Sequence, residues 1–274
     1  MSERPGAGEL TVEGPVGRLA ASRGGTAGGG LPVVLVHGIN MDRHVWDALA
    51  ARLGTDRETM AIDLRGHGDS VMAGPFDAGA YADDVLAVMD AAGIERAHLV
   101  GTSFGGAVTA TVAARVPERV ASVTAIGSAV SVAGAVDIEG GIAAMAELGP
   151  PAFFRGFMAQ ASFAPGTDPQ LVEEAVAAAT RPERGLELIA DVVRTAFSAD
   201  AGDAVAAVKA PALVLTGEHD QTCPIPAGEV LAAALGTELQ VLAGRGHMAV
   251  VEDPDGVAAV VRPHLAANDG PAAG

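Results

Sequence analysis

The sequence predicts an α/β protein with a mostly parallel central sheet, flanking helices and a helical cap insertion. Short apolar runs alternate with segments of helical periodicity, which is the pattern of strands buried on both faces of a parallel sheet. This alternation stops over residues 129–203, where helical patterns and prolines occur without a convincing buried strand. It resumes after residue 203, so the irregular stretch is expected to be an insertion after a strand end.

The first part of the chain carries a hairpin and the first strands of the sheet. A weak alternation over residues 10–22, broken by Gly14 and Pro15, predicts a hairpin at the sheet edge. A helix is predicted over residues 78–92, and Gly93 ends it. Buried strands are predicted at residues 31–36, 59–64, 97–100 and 120–126, with a short helix at 45–53.

The second part of the chain repeats the strand and helix alternation. Strands are predicted at residues 212–216 and 238–242, and helices at 226–235 and 254–265. In such a sheet the site lies at the carboxyl ends of the strands, so the insertion is expected to form a lid over it. The predicted division is a core of residues 9–128 and 204–267, a cap of residues 129–203, and disordered termini at 1–8 and 268–274.

Composition excludes several classes of partner. The net charge of −17, from 17 basic and 34 acidic residues, argues against nucleic acid and anionic membranes, which both require a basic surface. Cys223 is the only cysteine, so we expect neither a disulfide framework nor a cysteine-based zinc site. No cluster of histidines and carboxylates has ligand spacing, and we expect no metal and no cofactor. Without a signal or membrane-spanning segment, the expected location is the cytoplasm, and a homodimer remains open.

A serine turn is the centre of the predicted site. Residues 101–105 read Gly-Thr-Ser-Phe-Gly, between the strand at 97–100 and a helical run at 107–116. A strand that turns directly into a helix presents its turn residue at the tip of a tight bend, with the helix N-terminus behind it. Small neighbours are needed at such a turn, and Gly101 and Gly105 meet that need. We therefore take Ser103 as the candidate nucleophile.

The candidate base and acid follow later strands. His247 is the only one of the seven histidines that lies on a strand-end loop downstream of a strand-end acid. Asp220 follows the strand at 212–216 and is the best-placed carboxylate, with Glu218 as the alternative. A carboxylate there would hold the imidazole tautomer and stabilise the imidazolium ion. The predicted catalytic set is Ser103, Asp220 and His247.

An oxyanion hole needs two backbone N–H donors. Phe104 follows the nucleophile at the start of the helix and supplies the first. The second is expected from Ile39, on the loop after the strand at 31–36, where Gly38 allows a close approach. Loss of one such donor typically lowers the rate by about 10²–10³.

These motifs together resemble the α/β-hydrolase family, in its serine esterase branch with a helical cap. The resemblance rests on Val-His-Gly at 36–38 with Trp46 beyond it, the loop at 63–70, the serine turn at 101–106, Gly-Glu-His-Asp at 217–220, and Gly-His at 246–247. It implies a Ser-Asp-His triad, and structural roles for His37 and the loop at 65–69. Serine at position 103 speaks against the dehalogenase and epoxide-hydrolase branches, which carry aspartate there.

The leading hypothesis is a serine hydrolase that cleaves a carboxylic ester or lactone with an apolar moiety. Proteins similar to this one include C–C bond hydrolases, cofactor-free haloperoxidase-like perhydrolases, and tailoring enzymes that cleave methyl esters or cyclise natural products. A non-catalytic ligand receptor on the same fold is a further alternative. Singly, each phenylalanine of the insertion is best explained by core packing, but the cluster suggests a substrate pocket. The expected pocket residues are Gly38, Met41, Phe153, Phe154, Phe157, Met158 and Met248.

Overall fold

In the computed structural model, one eight-stranded sheet runs through the described residues, which are 8–26, 28–134, 137–181 and 183–270. Each of the four central strands is fully buried, as expected for aliphatic runs covered on both faces. The strands are β1 (Gly8–Gly14), β2 (Gly17–Gly25), β3 (Val33–Val36), β4 (Glu58–Ile62), β5 (Ala97–Thr102), β6 (Val120–Ile126), β7 (Ala212–Gly217) and β8 (Leu239–Leu242).

The strand order brings the loops of interest to one edge of the sheet. The order is β1-β2-β4-β3-β5-β6-β7-β8. β2 pairs antiparallel with β1 and with β4, and the remaining neighbours pair parallel. The carboxyl ends of β3, β5, β6, β7 and β8 therefore open onto one edge. This arrangement confirms the predicted fold class, including the hairpin at the edge.

Helices cover both faces of the sheet. Leu49 and Val261 pack on one face with Leu35, in a cluster that also draws on the short helix after residue 248. Val85 and Val108 pack on the other face with Leu99, and Leu231 extends this layer over Val214. These helices are α1 (Asp47–Leu53), α10 (Ala249–Glu252) and α11 (Pro254–Ala267) on the first face, and α2 (Ala78–Ala91), α3 (Phe104–Arg115), α8 (Gly202–Ala207) and α9 (Ile225–Ala234) on the second.

A helical segment lies between β6 and β7, and its only bridge of strand type among the described residues joins Ser131 to Asp200. Met145, Phe154 and Ile189 form its buried centre, together with Met41 and Met248 from loops of the sheet edge. Those two methionines join the segment to the sheet edge. Its helices are α4 (Ile138–Leu148), α5 (Pro150–Phe157), α6 (Pro169–Ala179) and α7 (Leu186–Phe197), with a π-helical turn at Met158–Ser162.

Several predicted boundaries differ from the structure by a few residues. The helix after the serine turn begins at Phe104 rather than at Ala107, because the chain enters the helix directly from the turn. The first helix begins at Asp47 and follows a 3₁₀ turn at Arg43–Trp46. The short α10 is absent from the sequence prediction. Of the helices that the structure describes, none combines the length and hydropathy needed to cross a membrane.

The C-terminal end differs from the predicted disordered tail over residues 268–270. Asp269 accepts a hydrogen bond from the N–H of Leu31 at 2.8 Å and lies within 3.2 Å of Arg57. Its carboxylate also accepts from Nε2 of the buried His98 at 3.1 Å. Three residues that are remote from it in sequence therefore hold this carboxylate. At the other end Gly8 belongs to β1, and residues 1–7 and 271–274 lie outside the described residues.

Candidate active site

Ser103 stands between β5 and α3 with an unusual backbone conformation. Its φ of 53° and ψ of −127° are rarely adopted by a residue with a side chain. Two hydrogen bonds fix the turn: the N–H of Ser103 donates to Ile126 at 2.9 Å, and the hydroxyl of Ser128 donates to the carbonyl of Ser103 at 2.8 Å. The side chain is thus held at the carboxyl edge of the sheet, as the sequence predicts.

Two glycines allow the turn to pack against the loop after β3. A Cβ on Gly105 would collide with the carbonyl oxygen of Val36. A Cβ on Gly38 would lie 2.7 Å from the Cβ of Ser103 and 3.3 Å from its Oγ. The backbone of Gly38 therefore lies directly beside the serine. Gly38 was predicted as a pocket residue, but it is absent from the described cavity walls and instead gives the loop its close approach.

His247 and Asp220 form a buried pair. Nδ1 of His247 donates to Oδ2 of Asp220 at 2.9 Å. The other carboxylate oxygen accepts from the N–H groups of Thr222 and Cys223 at 2.9 and 2.7 Å. These three hydrogen bonds orient the carboxylate, and the pair leaves Nε2 of the imidazole available as a proton acceptor. Glu218, the alternative acid, is exposed and accepts from the N–H of Gly244 instead.

Ser103 and His247 line one apolar cavity, which we call the long arm. It encloses about 260 Å³. Six of the predicted pocket residues line it, and α4 and α7 add residues that the sequence analysis missed. The wall comprises Ile39, Asn40, Met41, Ser103, Asp137, Ile138, Gly141, Ile142, Met145, Phe153, Phe154, Phe157, Met158, Ser162, Val193, Phe197, Thr222, His247 and Met248.

A second, smaller cavity also reaches Ser103, and we call it the short arm. It encloses about 40 Å³ and shares Ile39, Ser103, Phe197 and Thr222 with the long arm. His247 lines the long arm and not the short arm in the part of the chain that the structure describes. The remaining residues of the short-arm wall are Phe104, Ala107, Ala129, Val130, Ser131, Val132, Ala196, Ala199, Ala201 and Cys223.

The backbone N–H groups of Ile39 and Phe104 have no acceptor among the described residues. Both residues line the short arm beside Ser103. Nδ1 of His37 donates to the carbonyl of Gly38 at 2.6 Å, while its Nε2 accepts from the N–H of Leu64 at 3.1 Å. Because a trans peptide points its C=O and N–H in opposite directions, the hydrogen bond from His37 sets the direction of the Ile39 N–H.

Buried neutral histidines support this loop. Burial lowers the pKa of His37, and burial lowers the pKa of His67 well below its usual value. Nε2 of His67 accepts from the N–H of Asn40 at 3.1 Å, and its Nδ1 donates to the carbonyl of Arg65 at 3.0 Å. The predicted structural roles of His37 and of the loop at 65–69 agree with these contacts.

The helical segment contacts the loops of both Asp220 and His247. The carbonyl of Ala161, in the π-helical turn, accepts from the N–H of Gln221, and that of Ser162 accepts from the N–H of Met248 at 2.9 Å. Turns of this type often occur at functional sites. The segment therefore contributes to the position of the predicted acid and base as well as to the cavity wall.

The described residues contain no group of three or more histidines, cysteines, aspartates or glutamates able to hold a metal ion. Cys223 is buried, and burial raises the pKa of its thiol, so it is not an activated nucleophile. Its structural contribution is the N–H that donates to Asp220.

Comparison with known proteins identifies the family. The model of the "Alpha/beta hydrolase family" matches residues 33–260. The chain is 30% identical over 255 residues to pimeloyl-[acyl-carrier protein] methyl ester esterase of Neisseria meningitidis serogroup B, covering 84% of this chain and 91% of that protein. It is 24% identical to 3-oxoadipate enol-lactonase 1 of Acinetobacter baylyi, over 81% of this chain and 84% of the relative.

Matches of higher identity include two that cover only part of each chain. The chain is 44% identical over 104 residues to the dihydrolipoyllysine-residue acetyltransferase component of the acetoin cleaving system of Pseudomonas putida, which is 37% of this chain and 28% of that protein. It spans 43% of the pimeloyl-[acyl-carrier protein] methyl ester esterase of Neisseria meningitidis serogroup C at 40% identity, over 42% of this chain.

Among solved structures, an esterase from Thermogutta terrifontis superposes with a TM-score of 0.84 at 24% identity, covering 96% of this chain and all of the other. This likeness concerns the fold. The family match covers most of the chain, and the relatives support an ester hydrolase in general terms. The chain belongs to the α/β-hydrolase family.

Proposed function

We propose that this protein is a serine hydrolase that cleaves an uncharged carboxylic ester or lactone through an acyl-enzyme. The observation that carries the proposal is one cavity walled by Ser103, in its strained turn, and by His247, bonded to the buried Asp220. Ile39 and Phe104, whose N–H groups have no acceptor among the described residues, line the short arm together with Ser103. Nucleophile, base and oxyanion donors are the parts that acyl transfer requires.

The reaction follows from these groups. Oγ of Ser103 attacks the carbonyl carbon while Nε2 of His247 takes the hydroxyl proton, and Asp220 stabilises the imidazolium that forms. The N–H groups of Ile39 and Phe104 bind the oxyanion. Collapse breaks the bond to the leaving oxygen, which receives the proton from His247. Water, deprotonated by the same histidine, then attacks the acyl-enzyme, and the acid leaves as Ser103 recovers its proton.

The wall of the long arm supports an uncharged substrate. Methionine, phenylalanine and isoleucine side chains dominate it, and burial of an unpaired carboxylate in such surroundings is costly. The one carboxylate of the described wall, Asp137, adds repulsion against an anion. The names of two relatives, a methyl ester esterase and an enol-lactonase, agree with ester and lactone as bond types.

The two arms suggest how the ester lies. A general acid must be within hydrogen-bond reach of the leaving oxygen, and His247 lines the long arm. The alcohol portion is therefore assigned to the long arm and the acyl portion to the short arm. Two isomeric esters test this orientation, because hexyl acetate has a short acyl group and methyl heptanoate a long one. We expect faster turnover of hexyl acetate, and preference for methyl heptanoate would reverse the assignment.

Labelling of the serine tests the function itself. A fluorophosphonate probe should label the protein, and p-nitrophenyl butyrate should be turned over. Ser103→Ala should abolish both while the melting temperature stays near the wild-type value. Equal labelling of the two proteins would refute Ser103 as the nucleophile. Binding of esters without turnover or labelling would favour the receptor alternative.

A further inference from the structure

Arg184 is a buried cation at the junction of the helical segment and the sheet edge. The residue is 4% exposed. Its guanidinium makes three hydrogen bonds, each of 2.9 Å, to the carbonyl of Gly66, the carbonyl of Ala179 and Oδ1 of Asn40. All three acceptors are uncharged oxygens. Burial lowers the pKa of Arg184 to about 10, so the group remains charged at neutral pH.

Such a cation is costly for stability. Removing a charge from water is unfavourable unless a counter-ion compensates, and here the neutral oxygens and the carboxylate of Asp42, which is not hydrogen-bonded to Arg184, compensate only in part. A methionine of similar length would avoid that cost. Packing alone therefore does not explain why an arginine occupies position 184. Its hydrogen bond to Asn40 indicates a role for the arginine.

Asn40 is held from two sides, next to a proposed oxyanion donor. Its φ of 58° lies in the left-handed region, which asparagine tolerates better than most residues. His67 accepts from its backbone N–H, and Arg184 donates to its side chain. Ile39, whose N–H is the proposed donor, directly precedes it, and Asn40 itself lines the long arm.

We propose that Arg184 is a positioning residue, which holds the N–H of Ile39 in its oxyanion-binding direction through the side chain of Asn40. The helical segment thereby takes part in transition-state stabilisation as well as in substrate enclosure. This inference rests on the proposed function. It goes beyond that function because it assigns to a residue outside the cavity wall an effect on the oxyanion.

The test compares two kinds of ligand in the full-length protein. A trifluoromethyl ketone forms a hemiketal with the serine and places an oxyanion in the hole, whereas the corresponding secondary alcohol binds without one. Arg184→Met and Asn40→Gly should each lower kcat and trifluoromethyl ketone affinity about 10- to 100-fold, because a small displacement of an oxyanion donor is costly. For Arg184→Met, KM and affinity for the alcohol should change less than threefold. Asn40→Gly also alters the wall of the long arm, so for this variant the loss of ketone affinity is compared with the loss of alcohol affinity. Glycine is chosen at position 40 because it accepts the positive φ.

Arg181→Met is the matched control. Arg181 also ties the helical segment to the sheet edge, through Asp69 at 2.7 Å, without a hydrogen bond to Asn40. It should change the melting temperature but neither kcat nor trifluoromethyl ketone affinity. The double variant of positions 184 and 40 should lose no more kcat than the worse single variant, because both remove one contact.

The outcomes separate this inference from the proposed function. If Arg184→Met and Asn40→Gly keep wild-type kcat and ketone affinity, or resemble Arg181→Met, the positioning role is refuted while the hydrolase proposal stands. If Arg184→Met does not fold, the inference is tested with Asn40→Gly and Arg184→Lys instead. Lysine keeps the positive charge but cannot reproduce the three hydrogen bonds of the planar guanidinium. Full retention of kcat in both would overturn the inference. Inactivity of the wild type refutes the function instead.

Discussion

Glu252 accepts a hydrogen bond from the backbone N–H of Ala164 at 2.6 Å, although 88 residues of sequence separate them. The same oxygen accepts from the hydroxyl of Thr167 at 2.6 Å. The other carboxylate oxygen accepts from the N–H of Gly246, the residue before His247, also at 2.6 Å. A single carboxylate thus joins the helical segment to the loop of the proposed base.

Glu252→Gln should lower both stability and kcat. The carboxylate faces three donors and offers only acceptors, whereas a glutamine amide must turn an NH₂ group toward one N–H. An unsatisfied buried donor costs about 1–3 kcal/mol, so the free energy of unfolding should fall by that amount. The loosened loop should lower kcat severalfold at pH 7. Urea unfolding and ester kinetics measure both effects.

Glu229→Gln provides the comparison for this change. Glu229 is exposed on α9 and should tolerate the same substitution with unchanged kcat and unfolding free energy. If Glu252→Gln and Glu229→Gln have the same kcat and the same unfolding free energy, the hydrogen bonds of Glu252 between the helical segment and the His247 loop contribute to neither.

Asp220→Asn should lower kcat by roughly 10⁴, as expected for a wrong imidazole tautomer. The N–H groups of Thr222 and Cys223 require an oxygen acceptor, so the new amide must point its NH₂ group at His247. Nδ1 would then accept and Nε2 would carry the proton, which prevents it from accepting one from Ser103. Pre-steady-state ester kinetics measure the loss of acylation.

Glu218→Gln tests the alternative acid. The side chain is exposed and contacts Gly244 rather than His247, so we expect less than a threefold change in kcat. A larger loss in Glu218→Gln than in Asp220→Asn would show that the wrong carboxylate is assigned.

Two phenylalanines of the long arm should respond differently to truncation. Phe154 is buried in the centre of the helical segment, and Phe154→Ala should cost about 3–5 kcal/mol of unfolding free energy. Phe157 is 36% exposed and stacks on Phe153, so Phe157→Ala should hardly change the melting temperature. Because Phe157 also lines the cavity, its loss should shift the preference between alcohol chain lengths by about 1–3 kcal/mol in kcat/KM. An unchanged preference in Phe157→Ala would remove it from the specificity determinants.

Stability should fall as the pH decreases from 6.5 toward 4. Burial lowers the pKa of His37, His67, His98 and His264 in the folded protein. Below the unfolded pKa of about 6.5, the unfolded chain takes up protons that the folded chain does not, which favours unfolding. The stabilisation is therefore complete above pH 6.5. Urea unfolding at pH 7, 6 and 5 measures the decline, and constant unfolding free energy over this range would contradict it.

His98→Gln should make this decline shallower. Burial lowers the pKa of His98 to about 4, so the wild type loses at most about 1.4 kcal/mol per pH unit from this residue between pH 6.5 and 4. Glutamine does not titrate. The dependence of the unfolding free energy on pH should therefore become less steep, by nearly the amount that corresponds to the uptake of one proton. Asp84, whose pKa burial raises, acts in the opposite direction in both proteins and cancels in the comparison.

The strand-end groups could be predicted because their positions follow local patterns. Ser103, Asp220 and His247 each follow a short apolar run, and parallel strands bring such positions to one edge. The glycines around the serine turn also have a local signature. The position of these residues can therefore be predicted from the apolar run that forms the strand and from the loop that follows it.

Arg184, Glu252 and Asp269 could not be predicted, because their partners are remote in sequence. The partner atoms on Asn40 and Ala164 lie 144 and 88 residues away, and no periodicity records such a pairing. The polar composition of residues 268–270 predicts disorder, but a single carboxylate that meets three donors overrides it. Beyond Ile39, Ser103 and Phe104, the wall of the short arm escaped prediction for a related reason, since it combines small residues of α3, of the end of α7 and of the loops after β6, α7 and β7.

The proposed reacting groups and most of the substrate-facing wall come from different stretches of this chain. The proposed reacting groups follow β5, β7 and β8, whereas α4, α5, the π-helical turn and α7 together supply most of the long-arm wall. An exchange of this segment with that of a relative is therefore expected to transplant selectivity without rebuilding the nucleophile. Such a graft would have to keep the contacts of this segment with the sheet edge, among them the hydrogen bond of Arg184 to Asn40 and those of Ala164 and Thr167 to Glu252. Under the proposed function, recombination of this one continuous stretch is expected to change the substrate as long as those contacts are inherited with it.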